Sequence, residues 1–194
     1  AGRGRVVSDE FDLVILGGGP AGQKAAIQGA KAGRRVLLVD RARSAGGACV
    51  RFGTIPSKTL RETALSLQKF KKLTGHVLDV SVPEHLQLDS LMTRKEQVVT
   101  AHERYMQAQL ERNGIEVWQG IARFESAECV AVRATSGKSR RARARWFVIA
   151  TGSNPRTPND VPVDHEHVLD SDSLLSLSYL PRSLNVLGSG VIAC

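Results

Sequence analysis

Three glycines and one carboxylate near the amino terminus have the residue types and spacing most suited to chemistry. The glycines follow a short apolar run, and they are Gly17, Gly19 and Gly22. A glycine allows a tight turn at the first position, close backbone approach to a phosphate at the second, and close helix packing at the third. A helix that begins at Pro20 and Ala21 would point free N–H groups and its positive dipole end at anions. Asp40 ends the next apolar run and can accept hydrogen bonds from ribose hydroxyls. This spacing predicts a βαβ unit that binds a dinucleotide.

The elements around these glycines must hold them in place. The pattern predicts a strand at Phe11–Leu16, a helix at Pro20–Ala32 that Gly33 ends, and a second strand at Arg35–Val39. Residues 1–10 are predicted to be a flexible arm. A glycine turn without a ligand is the competing interpretation, and the presence of both strands and the acid disfavours it.

Helical spacing of apolar residues continues beyond the first βαβ unit. Ser57 is predicted to cap a helix. Residues 76–88, of mixed polarity, are predicted to form a loop. A long polar helix is predicted over Ser90–Arg112, with Asn113-Gly114 ending it.

The second half of the chain has the period of strands. Ile115–Gln119 alternates between apolar and polar residues, and residues 131–134 are predicted to pair within a small antiparallel meander over about 115–145. Trp146–Ala150 reads as a buried strand that leads into Thr151-Gly152. These strands are predicted to extend the sheet that the βαβ unit begins.

The last part of the sequence repeats the start of a dinucleotide fold. Residues 154–182 are predicted to connect two domains. An apolar strand at Ser183–Leu187 then leads into Gly188 and Gly190. Because a βαβ unit needs about 30 residues, we expect a fragment of a longer protein, with residues 183–194 as the truncated start of a second dinucleotide-binding domain. The alternative is that the terminal strand adds to the first sheet.

The composition is that of an ordinary globular protein, with 42% hydrophobic and 24% charged residues among 194. The longest apolar runs are too short to span a bilayer, and the polar first ten residues do not lead into the apolar segment of a secretory signal. Three widely spaced cysteines form neither a disulfide framework nor a metal site. We therefore expect a cytoplasmic protein with no membrane partner and no bound metal.

The net charge of +8 raises the question of a nucleic-acid partner. Five of the eight residues from Lys138 to Arg145 are basic, and no aromatic residue is interleaved with them. We interpret this run as a solvated edge strand protected by charge, and we expect no specific nucleic acid. Weak, salt-sensitive binding to polyanions is the alternative.

A second motif begins at Gly46 and Gly47, continues through Cys49, and ends in Pro-Ser-Lys at residues 56–58. Here the chain resembles the flavoprotein pyridine nucleotide–disulfide oxidoreductases, which carry Gly-Gly-x-Cys-x-x-x-x-Cys-x-Pro-Ser-Lys after the acid of the FAD site. The Ala-Thr-Gly strand end at 150–152 and the second glycine motif also match that family. The resemblance implies an α/β fold, with a Rossmann-like FAD-binding domain at 11–153 that combines a parallel sheet, helices and the small antiparallel meander. It also implies binding of FAD and NAD(P), and a homodimer or larger assembly.

The chain departs from the family at Thr54, which stands where the second redox cysteine is found. Cys49 then has no partner for a disulfide, so electrons cannot leave a flavin by thiol–disulfide exchange. The pattern is similar to a subgroup of the family, the soluble pyridine nucleotide transhydrogenases, in which FAD passes hydride between NADPH and NAD. The alternatives are a flavin-binding module without catalysis of its own, and an enzyme resembling dihydrolipoamide dehydrogenase or mercuric reductase with thiols elsewhere.

The resemblance also implies roles for individual residues. Cys49 would lie beside the flavin without forming a disulfide, and Lys58 would stabilise the reduced flavin. Its expected place in the first turn of a helix, where a cation is poorly suited to the dipole, favours the flavin role over that of an ordinary surface lysine. The remaining FAD contacts would be Gly17, Gly19, Pro20, Ala21, Gly22, Asp40, Arg41, Gly46, Gly47, Thr54, Gly120, Ala122, Ala150, Thr151 and Gly152. Gly188 and Gly190 would belong to an incomplete NAD(P) site.

Overall fold

A computed structural model describes residues 8–74 and 84–193. The chain divides into two compact units, which we call unit 1 and unit 2. Unit 1 comprises Ala1–Cys49 and Ala101–Ser153, and unit 2 comprises Val50–Thr100 and Asn154–Cys194. The domain boundaries that we expect from the sequence stay predictions.

Unit 1 is built on one six-stranded sheet. Its strands are β1 (Ser8–Leu16), β2 (Val36–Asp40), β3 (Glu116–Gln119), β4 (Ile121–Ser126), β5 (Cys129–Arg133) and β6 (Ser139–Ile149). They lie in the order β3-β2-β1-β6-β5-β4. The strands β3, β2, β1 and β6 are parallel to one another, with Leu13 of β1 opposite Val36 and Trp146. The hairpin β4–β5 joins β6 in antiparallel register. Both the parallel sheet and the antiparallel meander that we predict are therefore present.

The described part of the chain contains four α-helices. They are α1 (Pro20–Lys31), α2 (Gly47–Arg51), α3 (Thr54–Thr74) and α4 (Glu84–Arg112), and a short 3₁₀ helix follows at Ser173–Ser176. Helix α1 ends as expected, since Gly33 adopts a positive φ of 73° and its N–H donates to the Ala30 carbonyl at 2.9 Å. Gly114, with φ of 64°, ends α4 in the same way.

The apolar side chains of unit 1 form two buried clusters. One contains Phe11, Val14, Leu16, Leu37, Val39, Trp118, Val130, Val132, Ala142 and Ala144. The other joins β1 and β2 to α1 and the end of α4, and contains Ile15, Ala26, Ile27, Val36, Leu38, Ala45, Leu110 and Ile115. The apolar runs at 13–16 of β1 and 36–39 of β2 follow from burial of both faces, which parallel strands require.

The basic run is not at the edge of the sheet, so that prediction is wrong. β6 is a single strand from Ser139 to Ile149, and it lies between β1 and β5. Ala142 and Ala144 are buried, and Arg143 between them is exposed. Arg141 forms two hydrogen bonds to Glu125, at 2.6 and 2.9 Å, and these hydrogen bonds lower the pKa of Glu125. Small residues in the core and acids on the neighbouring hairpin make this central position possible.

Several predicted element boundaries are also corrected. β1 begins at Ser8, so residues 8–10 are strand instead of arm, and residues 1–7 lie outside the described residues. Helix α4 begins at Glu84, so the end of the predicted loop is helical, while residues 76–83 lie outside the description. The meander consists of β4, β5 and β6, because β3 pairs in parallel with β2.

Ser57 does not cap a helix. Helix α3 begins three residues earlier, at Thr54, and the Ser57 hydroxyl donates to the Gly53 carbonyl at 2.8 Å. The bond to the preceding turn is the usual alternative for a serine inside a helix. Lys58 is therefore the fifth residue of α3, just past the first turn, so its predicted position in the first turn is wrong.

The predicted strand at Ser183–Leu187 does not form. Residues 183–189 have no regular secondary structure, and Leu184, Val186 and Leu187 are exposed. A strand needs a neighbour to satisfy its backbone groups, and none of the described strands pairs with this segment. The alternative that it joins the first sheet is wrong as well.

In unit 2, a buried lysine ties the segment after residue 154 to helix α4. The ammonium nitrogen of Lys95 donates to the Leu175 carbonyl at 2.8 Å and lies 3.0 Å from a Glu96 carboxylate oxygen. Among residues 8–74 and 84–193, none of the helices is long and apolar enough to cross a membrane, and no group of three His, Cys, Asp or Glu side chains could hold a metal ion.

A carboxylate in unit 2 gives the chain one specific pH dependence. Asp164 Oδ1 accepts the N–H groups of Glu166, His167 and Val168 at 2.8 to 2.9 Å. These bonds, that of Val168 first, lower the pKa of Asp164 from 3.8 to about 2. Because the folded-state pKa is the lower one, the turn has its full stabilisation above pH 3.8 and loses it as the pH falls through about 2.

We therefore expect the amide NMR signals of residues 166–168 to shift with a midpoint near pH 2 instead of 3.8. In Asp164→Asn this titration should disappear, because the amide does not ionise over that range. A midpoint near 3.8 in the unsubstituted chain would contradict the hydrogen-bonded turn.

Candidate nucleotide-binding site

The first glycine of the motif lies where three parallel strands end. The Gly17 N–H donates to the Val39 carbonyl at 2.8 Å, and the Ala150 N–H donates to the Leu16 carbonyl at 2.8 Å. Gly17 has a φ of 110°, and a Cβ at this position would collide with the carbonyl oxygen of Ala150. The site therefore lies at the carboxyl ends of β1, β2 and β6, the edge where open α/β sheets bind ligands.

The amino terminus of helix α1 faces this edge without a side-chain cap. Gly19 is the N-cap residue with no capping hydrogen bond, Pro20 follows as the first helical residue, and the first turn of this fully described helix holds no acid. The N–H groups of Ala21 and Gly22 have no partner within a helix at these positions. The arrangement leaves backbone donors and the positive end of the dipole for an anion.

Asp40 is fixed beside the glycine turn. One oxygen of its carboxylate accepts the Gly18 N–H at 2.6 Å, and the other accepts the Ala42 N–H at 2.8 Å. An ionised carboxylate has about four acceptor sites, so it can still accept hydroxyl groups on its open side. Asp40 is only partly buried, as such a ribose contact requires.

Gly46 and Gly47 bring the loop after β2 against the same turn. The Gly46 N–H donates to the Gly18 carbonyl at 2.8 Å. A Cβ on Gly47, whose φ is 60°, would lie 2.8 Å from the Cα of Gly19. The close approach explains the glycine at position 47, and the positive φ of 148° at Gly46 favours glycine there. Cys49 follows in α2, partly buried and with a free thiol.

The other predicted FAD contacts in unit 1 are either packed against neighbouring residues or exposed. Gly120 donates its N–H to the Asp40 carbonyl at 2.8 Å, and a Cβ there would lie 2.6 Å from the Arg133 carbonyl oxygen. Packing thus accounts for this glycine without a cofactor. Ala122 packs against the first apolar cluster. The predicted contacts of unit 1 that are exposed are Pro20, Ala21, Arg41, Thr151 and Gly152.

Four predicted site residues belong to unit 2, and all of them are exposed. Thr54 is the first residue of α3 and Lys58 the fifth. Gly188 and Gly190 lie in the irregular terminal segment, where Gly188 has a φ of 129°. The structure thus brings together the glycine turn, Asp40 and the Gly46–Gly47 loop within unit 1.

Two residues of this region are not among the site residues predicted from the sequence. A Cβ on Gly18 would lie 2.6 Å from Asp40 Oδ2, so a side chain at the middle of the Gly-Gly-Gly run would displace the carboxylate that accepts the Gly18 N–H. Three consecutive glycines are the signal that could have shown this. Gln23 is only 5% exposed, and its buried Nε2 has no hydrogen-bond partner within the structure. Because this atom is closed to solvent, it does not face the open side of the turn.

The glycine turn at a parallel sheet edge defines a Rossmann-like nucleotide-binding protein. The chain belongs to the pyridine nucleotide-disulphide oxidoreductase family, whose model matches residues 11–194. The family resemblance inferred from the sequence is confirmed. Membership implies the use of a flavin and a pyridine nucleotide in general.

Two curated relatives are similar to this chain over most of its length. The chain is 38% identical over 184 residues to the soluble pyridine nucleotide transhydrogenase of Pseudomonas putida (strain GB-1), covering 95% of this chain and 39% of that protein. It is 39% identical over 184 residues to the protein of the same name from Mycobacterium bovis (strain BCG / Pasteur 1173P2), covering 94% of this chain and 39% of that protein. The chain therefore spans about two fifths of the length of these relatives.

Solved structures agree with the fold. The Cu(II) complex of the HOCl-induced flavoprotein disulfide reductase RclA from Escherichia coli is 27% identical, with a TM-score of 0.71 over 89% of this chain and 36% of that one. The same complex of a Cys→Ser mutant of RclA is 26% identical, with a TM-score of 0.78 over 95% of this chain and 38% of the other. The predicted Rossmann-like flavoprotein fold is confirmed.

Proposed function

We propose that this chain is the FAD-binding part of an NAD(P) transhydrogenase. The observation that carries the proposal is the uncapped terminus of α1, which lies beside an acid that the turn itself positions. Gly17, Gly19, Pro20, Ala21 and Gly22 would hold the diphosphate, with Gly46 and Gly47 against them. Asp40 and Arg41 would contact the adenosine ribose, with Gly120 and Ala122 towards the adenine. Ala150, Thr151 and Gly152 would continue the cofactor cleft from the end of β6.

The chemistry proposed for the complete protein is hydride transfer between NADPH and NAD. Bound FAD supplies a two-electron carrier for this transfer. Cys49 would lie beside the flavin without forming a disulfide, because Thr54 stands where the family has its second cysteine. Lys58 would place a positive charge near the flavin, and Gly188 and Gly190 would begin the NAD(P) site. The relatives named transhydrogenases support this assignment.

The 194 residues by themselves are proposed to bind FAD without catalysing transfer. They span 39% of the relatives' length, and their second glycine motif has no helix of its own among the described residues. A homodimer and a cytoplasmic location are proposed for the complete protein.

The assay that tests the proposal follows hydride transfer from NADPH to an NAD analogue by the complete protein loaded with FAD. We expect turnover, and we expect NADPH reduction to produce no new titratable thiols. Turnover of lipoamide together with a gain of two thiols per flavin would instead identify a disulfide reductase. For residues 1–194, a yellow protein with little NAD(P)H oxidation is expected, and brisk oxidation would contradict the assignment as a binding part.

A further inference from the structure

Two arginines of unit 1 lie beside one exposed tryptophan. The guanidinium carbon of Arg145 is 4.6 Å from the centre of the Trp146 ring, and that of Arg34 is 5.7 Å from it. Trp146 is 44% exposed. Within the described part of the chain, neither arginine has a carboxylate oxygen within ion-pair distance.

The other arginines of β6 are neutralised. Each has a guanidinium nitrogen close to a carboxylate oxygen. The distances are 2.8 Å from Arg140 to Asp9, 2.6 Å from Arg141 to Glu125 and 3.1 Å from Arg143 to Glu128. Arg35, next to Arg34 in sequence, has Glu116 at 3.9 Å. The positive charge that remains on this strand is therefore concentrated at Arg145.

The helix dipole explains only part of this arrangement. Lys31 occupies the last turn of α1 and Arg34 follows it, where the carboxyl end of a helix favours cations. Arg145 is on a strand and gains nothing from that dipole. Asp12 of β1 accepts the Arg35 N–H at 2.7 Å, and among the described residues its carboxylate forms an ion pair with neither Arg34 nor Arg145. The patch also lies at the opposite end of α1 from the glycine turn, about 18 Å away for a helix of this length.

We propose that Arg34, Arg145 and Trp146 form a second anion site, which takes the phosphates of a small polyphosphate. Each guanidinium presents forked N–H donors that match phosphate oxygens in pairs. Both guanidinium groups lie beside the same indole ring. Because neither forms an ion pair among the described residues, an incoming anion would displace no carboxylate. Inorganic pyrophosphate, with one phosphate for each arginine, is the simplest probe of this chemistry.

The experiment is a calorimetric titration of the 194-residue chain with pyrophosphate at low salt, with Trp146 emission as a second signal. Arg34→Gln and Arg145→Gln should each weaken binding by roughly fivefold or more, since each removes one forked contact. Arg143→Gln is the matched control, because its charge is already paired with Glu128, and it should change the affinity less than about twofold. Trp118, only 5% exposed, should not contribute to the emission change.

Pyrophosphate could also bind at the glycine turn, and the double variant Arg34→Gln/Arg145→Gln separates the two sites. Binding that survives unchanged in the double variant belongs to the turn and overturns the proposal. A short single-stranded oligonucleotide that binds this chain while pyrophosphate does not would overturn it too. Pyrophosphate binding that the double variant loses, with its fold unchanged by circular dichroism, supports it.

Discussion

Gly22→Ala is expected to lower the free energy of unfolding of unit 1 by about 3 kcal/mol or more. A Cβ on Gly22 would overlap the carbonyl oxygen of Gly17, with Ile15 only 3.3 Å away on the other side. All three positions belong to the junction of β1 and α1, where Ile15 and Gly22 are buried. The backbone must move to admit one methyl group, and the strand and helix would separate. Urea unfolding followed by circular dichroism measures the loss.

Gly33→Ala is the matched control for this prediction. Gly33 has a φ of 73°, and nothing lies within 4 Å of the place where its Cβ would be. The substitution therefore costs only the strain of a left-handed alanine, about 1–2 kcal/mol. Equal losses in the two variants would show that the close contact between Gly22 and Gly17 does not exist.

The glycine turn could be predicted from the sequence because its constraints are local. The tight turn, the close approach of the backbone to a phosphate, and the packing of the helix on the strand each require glycine at one position of a short segment. The acid then follows at the end of the next strand. The structure adds a contact of Gly18, whose N–H donates to the carboxylate of Asp40 across the turn. That contact joins residues 22 positions apart, and a residue-by-residue pattern does not show it.

The place of β6 could not be predicted from its own residues. Its basic character is typical of an exposed edge, but Asp9, Glu116, Glu125 and Glu128 lie near its arginines in the folded chain. Trp118 also stacks under Arg140, whose guanidinium carbon is 3.7 Å from the ring centre. These partners come from β1, β3 and the β4–β5 hairpin, so only the tertiary structure brings them together.

Local sequence patterns also gave wrong predictions where one segment is compatible with two structures. Serine favours the N-cap, yet the hydroxyl of Ser57 bonds back to Gly53 because α3 starts at Thr54. The apolar run at 183–187 has strand propensity but no strand beside it in the described chain. In both cases the local pattern is compatible with two structures, and the neighbouring elements decide between them.

Gly19→Ala is expected to leave the fold intact and to weaken FAD binding. Gly19 has an ordinary φ of −72°, and the atom nearest to its added Cβ would be the Cα of Gly47 at 3.8 Å, an ordinary contact distance. The methyl group would occupy the space through which the backbone approaches the diphosphate. Losing one charge-assisted hydrogen bond there costs about 1.5–3 kcal/mol, roughly a tenfold to hundredfold change in the dissociation constant.

Flavin absorbance and fluorescence during titration with FAD measure this change, and urea unfolding of the apoprotein provides the independent stability readout. Gly33→Ala, at the other end of α1, should bind FAD as tightly as the unsubstituted chain because it lies far from the turn. The proposed cofactor position predicts that affinity falls in Gly19→Ala while stability does not. Unchanged affinity in a fully folded Gly19→Ala protein would mean that the diphosphate does not lie against this turn, since the methyl group could not be accommodated beside it.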